Sequence, residues 1–362
     1  MVIAQVISNL SIGGAERLFV NLCNALHGDR VVVVLLGDAD IQPSLETGLR
    51  DDIEVRRLRM RKRAWYRDVK ALARLFRETG CDVVHTHMFW ANLYGALAAR
   101  RAGVPLVTSE HGRNEWKNGW HRWLEVKVIS RVARLRLCVS QDILERRNEV
   151  DGVPASLLRL VPNGTVVPPE IDVGTRGTVV GSVGRLVDAK DYPTLIRAAA
   201  ILADRGADIQ LEIVGDGPER RSIEDAIARQ GVASRVKLVG LRTDVAEWLA
   251  RWAVFASSST REGQPVALLE AMASGLPSVV TAVGGVPDTL ADGVEGIVVP
   301  PSDPEALADG LQRLLEHPGL RGSMGRAARE RVIRDFSIQS LAQTCRQAYA
   351  EVSRPAVSGT NA

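Results

Sequence analysis

Residues 257–280 read SSSTREGQPVALLEAMASGLPSVV. Two glutamates, Glu262 and Glu270, stand in it with seven residues between them. Glu262 lies in loop-type sequence, before Gly263, Gln264 and Pro265. Proline suits the first turn of a helix, where its missing N–H costs nothing. Val266 to Ala273 then reads as that helix, ended by Gly275 and Pro277. Apolar runs flank it, Val254–Ala256 before and Ser278–Thr281 after, so the stretch is a strand–helix–strand unit of a parallel sheet. The turn offers two carboxylates beside backbone N–H groups. Carboxylates accept hydrogen bonds from sugar hydroxyls, while the amides and the helix dipole favour an anion. A polyhydroxylated ligand joined to a phosphate suits this geometry.

The same alternation runs outward in both directions. In the second half, strands are predicted at 178–183, 209–214, 236–239 and 296–299, with helices at 193–204, 219–230, 245–250, 304–316 and 326–335. In the first half, strands are predicted at 2–8, 31–36, 53–58, 82–85, 106–109 and 137–140, with helices at 15–26, 66–79 and 91–101. The apolar runs are β-branched and nearly continuous, as expected of strands covered on both faces. The segment VPNGTVVPP at 161–169 interrupts the pattern and reads as a hinge. The expected organisation is therefore two doubly wound α/β domains, 1–165 and 172–335. A helix at 336–354 and a disordered polar tail at 355–362 follow. Open α/β sheets bind ligands at the carboxyl ends of their strands, and two such edges face to face make a cleft.

Composition narrows the class further. The 362 residues are 46% hydrophobic and 25% charged, as in folded globular chains, and hold no apolar run long enough to span a bilayer. No secretory signal is read at the N-terminus, so a cytoplasmic location is expected. Cys23, Cys81, Cys138 and Cys345 lie far apart in apolar surroundings and read as buried free thiols. Charge is uneven: residues 1–170 carry 25 Lys+Arg against 19 Asp+Glu, and the remainder 21 against 24. Only the first half is built to face an anionic surface.

Several short motifs sit at predicted strand ends. Gly13-Gly14-Ala15-Glu16-Arg17 opens the first helix, where paired glycines admit a ligand and a helix N-terminus favours phosphate. It is neither GxGxxG nor a Walker loop, which counts against nicotinamide and ATP. Arg185 and Lys190, after another strand, are two cations fit for a diphosphate or simply solvated. Asp216 lies in the strand-to-turn junction IVGDGP, and Leu241 ends the next strand, where it could line a nucleobase slot. His111 stands at a strand's carboxyl edge beside Gly112. His85 and His87 form an HxH pair, but no Cys, Asp or Glu has ligand spacing, so no metal site is assigned.

The first half also carries RRLRMRKRAWYR at 56–67, including Arg61, Lys62 and Arg63. Trp116, Trp120 and Trp123 follow at helical spacing among basic residues. Tryptophan with cations marks an interfacial helix on anionic lipid, whereas core packing of the indoles is the bland alternative. No nucleic-acid-binding module accompanies the basic run.

Taken together these pieces resemble glycosyltransferase family 4, retaining transferases with two facing Rossmann-like domains (the GT-B fold). The matching segments are GGAER at 13–17, the His111 strand end, VPNG at 161–164, GRLVDAK at 184–190, IVGDGP at 213–218, EGQPVALLEAMASGLPSVVT at 262–281 and VGGVPD at 283–288. They span Gly13 to about Asp303, with Asp288 where the family often has glutamate. The paired-glutamate block is the specific one.

The resemblance implies that Glu270 bonds the donor ribose. It implies that Glu262 contacts the transferred sugar, helped by amides of Gly263, Gln264, Pro265 and Val266. Arg185 and Lys190 would hold the diphosphate near Gly13 and Gly14, and His111 would lie near the reacting sugar. The final helix would return to the first domain. The expected donor is a UDP- or GDP-linked sugar, without cofactor or metal. The expected acceptor is a saccharide or lipid-linked saccharide, reached from an anionic membrane surface. Charge developing on the leaving diphosphate would be met by Arg185, Lys190 and helix N-termini. Glu262 is read as positioning sugar hydroxyls rather than as the carboxylate nucleophile of a retaining hydrolase. A nucleotide-sugar epimerase of the same plan, and a catalytically silent saccharide-binding module, are the competing readings.

Overall fold

The computed structural model describes residues 1–37, 43–61, 64–113, 115–169 and 177–354. The chain divides into two compact units, Met1–Pro162 with the segment from Ile338 onward, and Asn163–Ser337. The tail at 355–362 expected to be disordered lies outside the described residues, as do Lys62 and Arg63 of the basic run.

The first unit is built on seven parallel strands: β1 (Val2–Ile7), β2 (Arg30–Leu35), β3 (Glu54–Arg57), β4 (Val83–His87), β5 (Leu106–Glu110), β6 (Ala133–Cys138) and β7 (Leu158–Leu160). Their order is β3-β2-β1-β4-β5-β6-β7, which reverses direction between β1 and β4. Valines at 31–34 of β2 are buried on both faces of the sheet, as the unbroken apolar run requires. Each such side chain contributes roughly 1.5–3 kcal/mol by leaving water. Helices Gly14–Ala25, Trp65–Thr79 and Phe89–Ala102 cover the sheet. The helix Ile338–Ser353 belongs to this unit and buries Tyr349 completely; the Tyr349 hydroxyl lies 2.9 Å from Gln5 Nε2 on β1.

The second unit holds β8 (Val179–Val183), β9 (Gln210–Val214), β10 (Val236–Gly240), β11 (Val254–Ser257), β12 (Ser278–Thr281) and β13 (Gly296–Val299). All pair in parallel, in the order β10-β9-β8-β11-β12-β13, with the reversal between β8 and β11. The helix Pro304–Glu316 starts on Asp303, whose side chain accepts from the Ala306 N–H at 2.9 Å.

Some elements differ from the sequence-based expectation, three of them for reasons the packing makes plain. The sixth strand is Ala133–Cys138 rather than 137–140, because Arg136 is fully buried among carboxylates instead of ending the strand. Ser140 caps the next helix, accepting from the Ile143 N–H at 3.3 Å. The strand Leu158–Leu160 was not anticipated; three partly exposed residues carry little pattern. The helix expected at 326–335 begins at Pro318 and runs through three glycines. Gly325 is there for close approach: a Cβ would sit 2.2 Å from the Gly275 carbonyl oxygen.

Candidate active site

In an open parallel sheet the strand-order reversal leaves a crevice at the strands' carboxyl ends. In the second unit that reversal falls between β8 and β11, whose following loops carry Arg185, Lys190 and Glu262. Lys190 Nζ is 2.5 Å from Glu262 Oε1, and Ser259 Oγ donates to the same oxygen at 2.7 Å. The two loops are strapped together by backbone. Thr260 N donates to Ala189 O at 2.9 Å, and Ser258 Oγ to Lys190 O at 2.9 Å. The lysine and the glutamate are mostly buried, with side-chain exposures of 21% and 12%. Arg185 is exposed at the end of β8.

Glu262 is held from below as well. Gly284 adopts φ +53°, and a Cβ there would sit 2.1 Å from the Glu262 carbonyl oxygen. Gly285 N donates to Gly263 O at 2.6 Å. Only glycine allows this approach at this backbone angle, which accounts for the first glycine of VGGVPD. Pro265 occupies the cap position before the helix Val266–Ala273, whose bounds are those expected, and having no N–H it cannot offer an amide. The Gln264 side chain, as distinct from the amide named in the sequence reading, is turned inward. The Asn163 N–H donates to Gln264 Oε1 at 2.6 Å, and Gln264 Nε2 donates to Thr289 Oγ1 at 3.1 Å. The side chain is 4% exposed and serves as an internal strut. Glu270 lies on the helix one turn beyond Val266, half-buried.

The neighbouring strand ends are locked to the same edge. Gly184 N donates to Val214 O and Leu186 N to Asp216 O, both at 3.0 Å. Asp216 Oδ1 accepts from Gly217 N at 2.8 Å, and Oδ2 from Arg220 at 3.3 Å, so its carboxylate braces its own turn. Leu241 follows β10 with 43% of its surface exposed.

In the first unit the reversal lies between β1 and β4. Gly13 caps and Gly14 opens the helix after β1; His87 ends β4, and His111 follows β5. The histidines are joined: His87 Nδ1 is 3.0 Å from His111 Nε2, and His87 Nε2 is 2.9 Å from Gln5 Oε1. His85 bonds Tyr349 OH at 2.6 Å and Ser109 Oγ at 2.8 Å. Burial, reinforced by the neighbouring imidazoles, pushes His87 well below its ordinary pKa and His85 down to about 3, so both are neutral at physiological pH. The HxH pair is thus an internal hydrogen-bonding device. Among the described residues no group of three His, Cys, Asp or Glu is arranged for a metal.

Behind His111 lies a set of buried charges that the sequence reading missed. Glu110 and Glu125 face Arg136 and Lys117. Arg136 is 2.9 Å and Lys117 3.8 Å from Glu110, and both also pair with Glu125. Arg147 pairs with Asp151 and donates to the carbonyl oxygens of Gly112 at 3.1 Å and Arg113 at 3.0 Å. These charges clamp the loop after β5 that carries His111. A signal was present, since Glu110 and Arg136 occupy neighbouring strands at positions that otherwise read apolar.

The tryptophans are on the surface. Trp116, Trp120 and Trp123 are 54%, 62% and 48% exposed, which removes the core-packing alternative. They do not share one helix: the helix Gly119–Leu124 starts at Asn118, whose side chain accepts from the Trp120 and His121 N–H groups, so Trp116 precedes it. Trp120 and Trp123 stack at 4.9 Å, while Trp116 packs on His121 at 5.0 Å. Trp90, which the sequence reading passed over, is 45% exposed and lies 5.9 Å from the same histidine. Arg61 is not simply solvated: it pairs with buried Asp68 at 2.6 Å. No helix among the described residues is long and apolar enough to cross a membrane.

Residues 12–167 match the family model described as Glycosyltransferase Family 4, and residues 177–317 that described as Glycosyl transferases group 1. The chain is 30% identical over 310 residues to a D-inositol 3-phosphate glycosyltransferase of Kribbella flavida, covering 76% of this chain and 73% of that protein. It is 30% identical over 221 residues to the putative glycosyltransferase EpsF of Bacillus subtilis, covering 55% of this chain and 57% of EpsF. The crystal structure of Anabaena Alr3699/HepE in complex with UDP-glucose superposes with a TM-score of 0.85 at 23% identity, covering 97% of this chain and 100% of that one.

Proposed function

Because the chain belongs to the family 4 glycosyltransferases and has the GT-B α/β fold, we propose that it is a retaining hexosyltransferase. The donor is a UDP- or GDP-linked sugar. The acceptor is a saccharide or lipid-linked saccharide of cell-surface polysaccharide or glycolipid synthesis. The observation that carries this reading is the Lys190–Glu262 pair at the β8/β11 reversal, with the N-terminus of the helix Val266–Ala273 three residues beyond Gly263.

Each part of the donor has a chemical match there. Arg185 and Lys190 take the diphosphate, Glu270 the ribose hydroxyls and Glu262 the hydroxyls of the transferred sugar. When the glycosidic C–O bond breaks, its electron pair leaves with the phosphate oxygen. The two cations stabilise that growing charge, which is the step they accelerate. The acceptor hydroxyl then bonds the anomeric carbon from the face the phosphate has left, its proton passing to the departing phosphate oxygen on that face, so configuration is kept. In the first unit, His111 accepts or donates a hydrogen bond at the substrate. That HepE was crystallised with UDP-glucose supports the choice of a UDP sugar as first donor to test.

Thermal stabilisation tests the donor assignment. A nucleotide sugar at about 100 times its dissociation constant adds roughly 2.7 kcal/mol of stability to the unit that binds it. A panel of UDP and GDP sugars is expected to include one that raises the melting temperature by several degrees. No response to any nucleotide sugar or nucleoside diphosphate would remove the reading.

The exposed indoles and the basic first unit support peripheral association with an anionic membrane on its cytoplasmic face. In cosedimentation, vesicles containing anionic lipid are expected to pellet the protein, and neutral vesicles to leave it largely in solution. Replacing Trp120 and Trp123 by alanine should weaken the pelleting several-fold. Equal pelleting with and without anionic lipid would rule out the charge-driven association.

A further inference from the structure

At the amino ends of β5 and β6, the edge of the sheet opposite His111, lies a cavity of about 600 Å³. The five residues of β5, at about 3.3 Å each, separate it from the His111 end by roughly 16 Å. Three arginines line it from three elements. Arg100 comes from the last turn of the helix Phe89–Ala102, Arg131 from the helical segment before β6, and Arg134 from β6 itself. Val104, Pro105 and Val132 supply apolar wall, and no aspartate or glutamate lines the cavity. Its size suits a small molecule.

The Arg100 and Arg131 side chains are exposed, and neither bonds or pairs with a described residue. Arg134 gives one N–H to the Val352 carbonyl oxygen, which fixes its guanidinium at the cavity wall. Helix ends account for part of the charge. The helix Phe89–Ala102, the segment ending at Val132 and the helix Ile338–Ser353 all finish here, each with about half a negative charge at its end. Together they offset about 1.5 of the three positive charges, and about +1.5 remains with no carboxylate to meet it. A phosphomonoester carries about −1.5 to −2 at neutral pH and offers three oxygens, whereas a phosphodiester carries about −1. Guanidinium forks match phosphate oxygens in shape as well as in charge.

We propose that this cavity binds a phosphomonoester group through Arg100, Arg131 and Arg134, at a place separate from the candidate active site. The apolar wall takes the body that carries the phosphate. Two sources present that chemistry: a soluble phosphorylated metabolite, and the headgroup of a phosphatidic-acid-type lipid. Trp120, Trp123, Lys127 and Arg131 are all exposed, each about one helical turn from the next, along the helical run that leads to the cavity. A lipid would meet the indoles and the cavity along that run.

The test is 1H–15N NMR of the full chain, deuterated and labelled with 15N, titrated near neutral pH with glycerol 3-phosphate and, for comparison, with the monoanion dimethyl phosphate. The Gly103 and Arg134 amide signals are expected to shift saturably with glycerol 3-phosphate, with a Kd of about 1 mM, and about tenfold more weakly with dimethyl phosphate. Replacing both exposed arginines, Arg100→Gln with Arg131→Gln, should weaken glycerol 3-phosphate about tenfold or more while leaving the rest of the spectrum in place. Cosedimentation then assigns the source. Stronger pelleting on phosphatidic acid than on phosphatidylglycerol at matched surface charge, lost in the double variant, assigns the lipid. Equal pelleting on the two, with the titration as expected, assigns a soluble metabolite. Shifts that do not saturate, or that are confined to residues around Lys190, together with equal pelleting on the two lipids, would overturn the site. A double variant that behaves as wild type in both measurements would overturn it as well.

Discussion

Lys190→Ala lowers turnover by about 10²–10³-fold, the usual cost of removing one preorganised charge aimed at the leaving group. On the proposed assignment of Lys190 to the diphosphate, the loss should fall on kcat more than on KM, because the charge would count most as the departing phosphate oxygen becomes negative. The Nζ is held 2.5 Å from Glu262, on loops tied to one another by backbone hydrogen bonds. That tie holds the lysine charge in a defined position. Glu262→Ala should cost a comparable amount, and the double variant little more, since the two act as a unit. Glu270→Ala should instead raise KM for the donor with a smaller change in kcat. Steady-state kinetics on a matched donor and acceptor separate these cases. Full activity in Lys190→Ala would mean that the diphosphate is held elsewhere.

Glu125→Ala destabilises the first unit by about 3–5 kcal/mol, because it leaves buried cations without their partner. Glu125 is fully buried and pairs with both Lys117 and Arg136, themselves 3% and 0% exposed. The remaining carboxylate, Glu110, cannot neutralise both. Hydrogen exchange in β5 and β6 measures the effect within this unit, where a single melting temperature for a two-unit chain would blur it. A change below about 1 kcal/mol would show that water relieves the cluster.

The same cluster sets acid sensitivity. Burial alone would raise the pKa of Glu110, but Lys117, Arg147 and Arg136 together hold it down to about 2. A carboxylate depressed in the folded state contributes stability above its unfolded pKa of about 4 and loses that contribution as pH falls toward the folded value. Protection of β5 and β6 should therefore decline between about pH 4 and pH 2.

Much of the fold was legible because parallel strands covered on both faces leave unbroken apolar runs. Where that physics failed, so did the reading. Arg136 sits inside β6 but looks like a strand terminator until its carboxylate partners, distant in sequence, are known. Gly325 looks like a helix breaker until the backbone of Gly275 is found against it. At the candidate site, residue type and spacing singled out Lys190 and Glu262. Their mutual pairing was invisible, since 72 residues separate them. Gln264 was legible only as polar, and its commitment to Asn163 and Thr289 is a tertiary fact. Gln5 gave no signal at all, being one polar residue within an apolar strand.

The most direct test of the central claim is to follow the anomeric proton by NMR while the enzyme works on the nucleotide sugar that best stabilises it, with acceptor present. The expected product is a glycoside of the donor's own anomeric configuration, with one nucleoside diphosphate released for each bond formed. A product of inverted configuration, or donor converted to an epimer without acceptor, would contradict it.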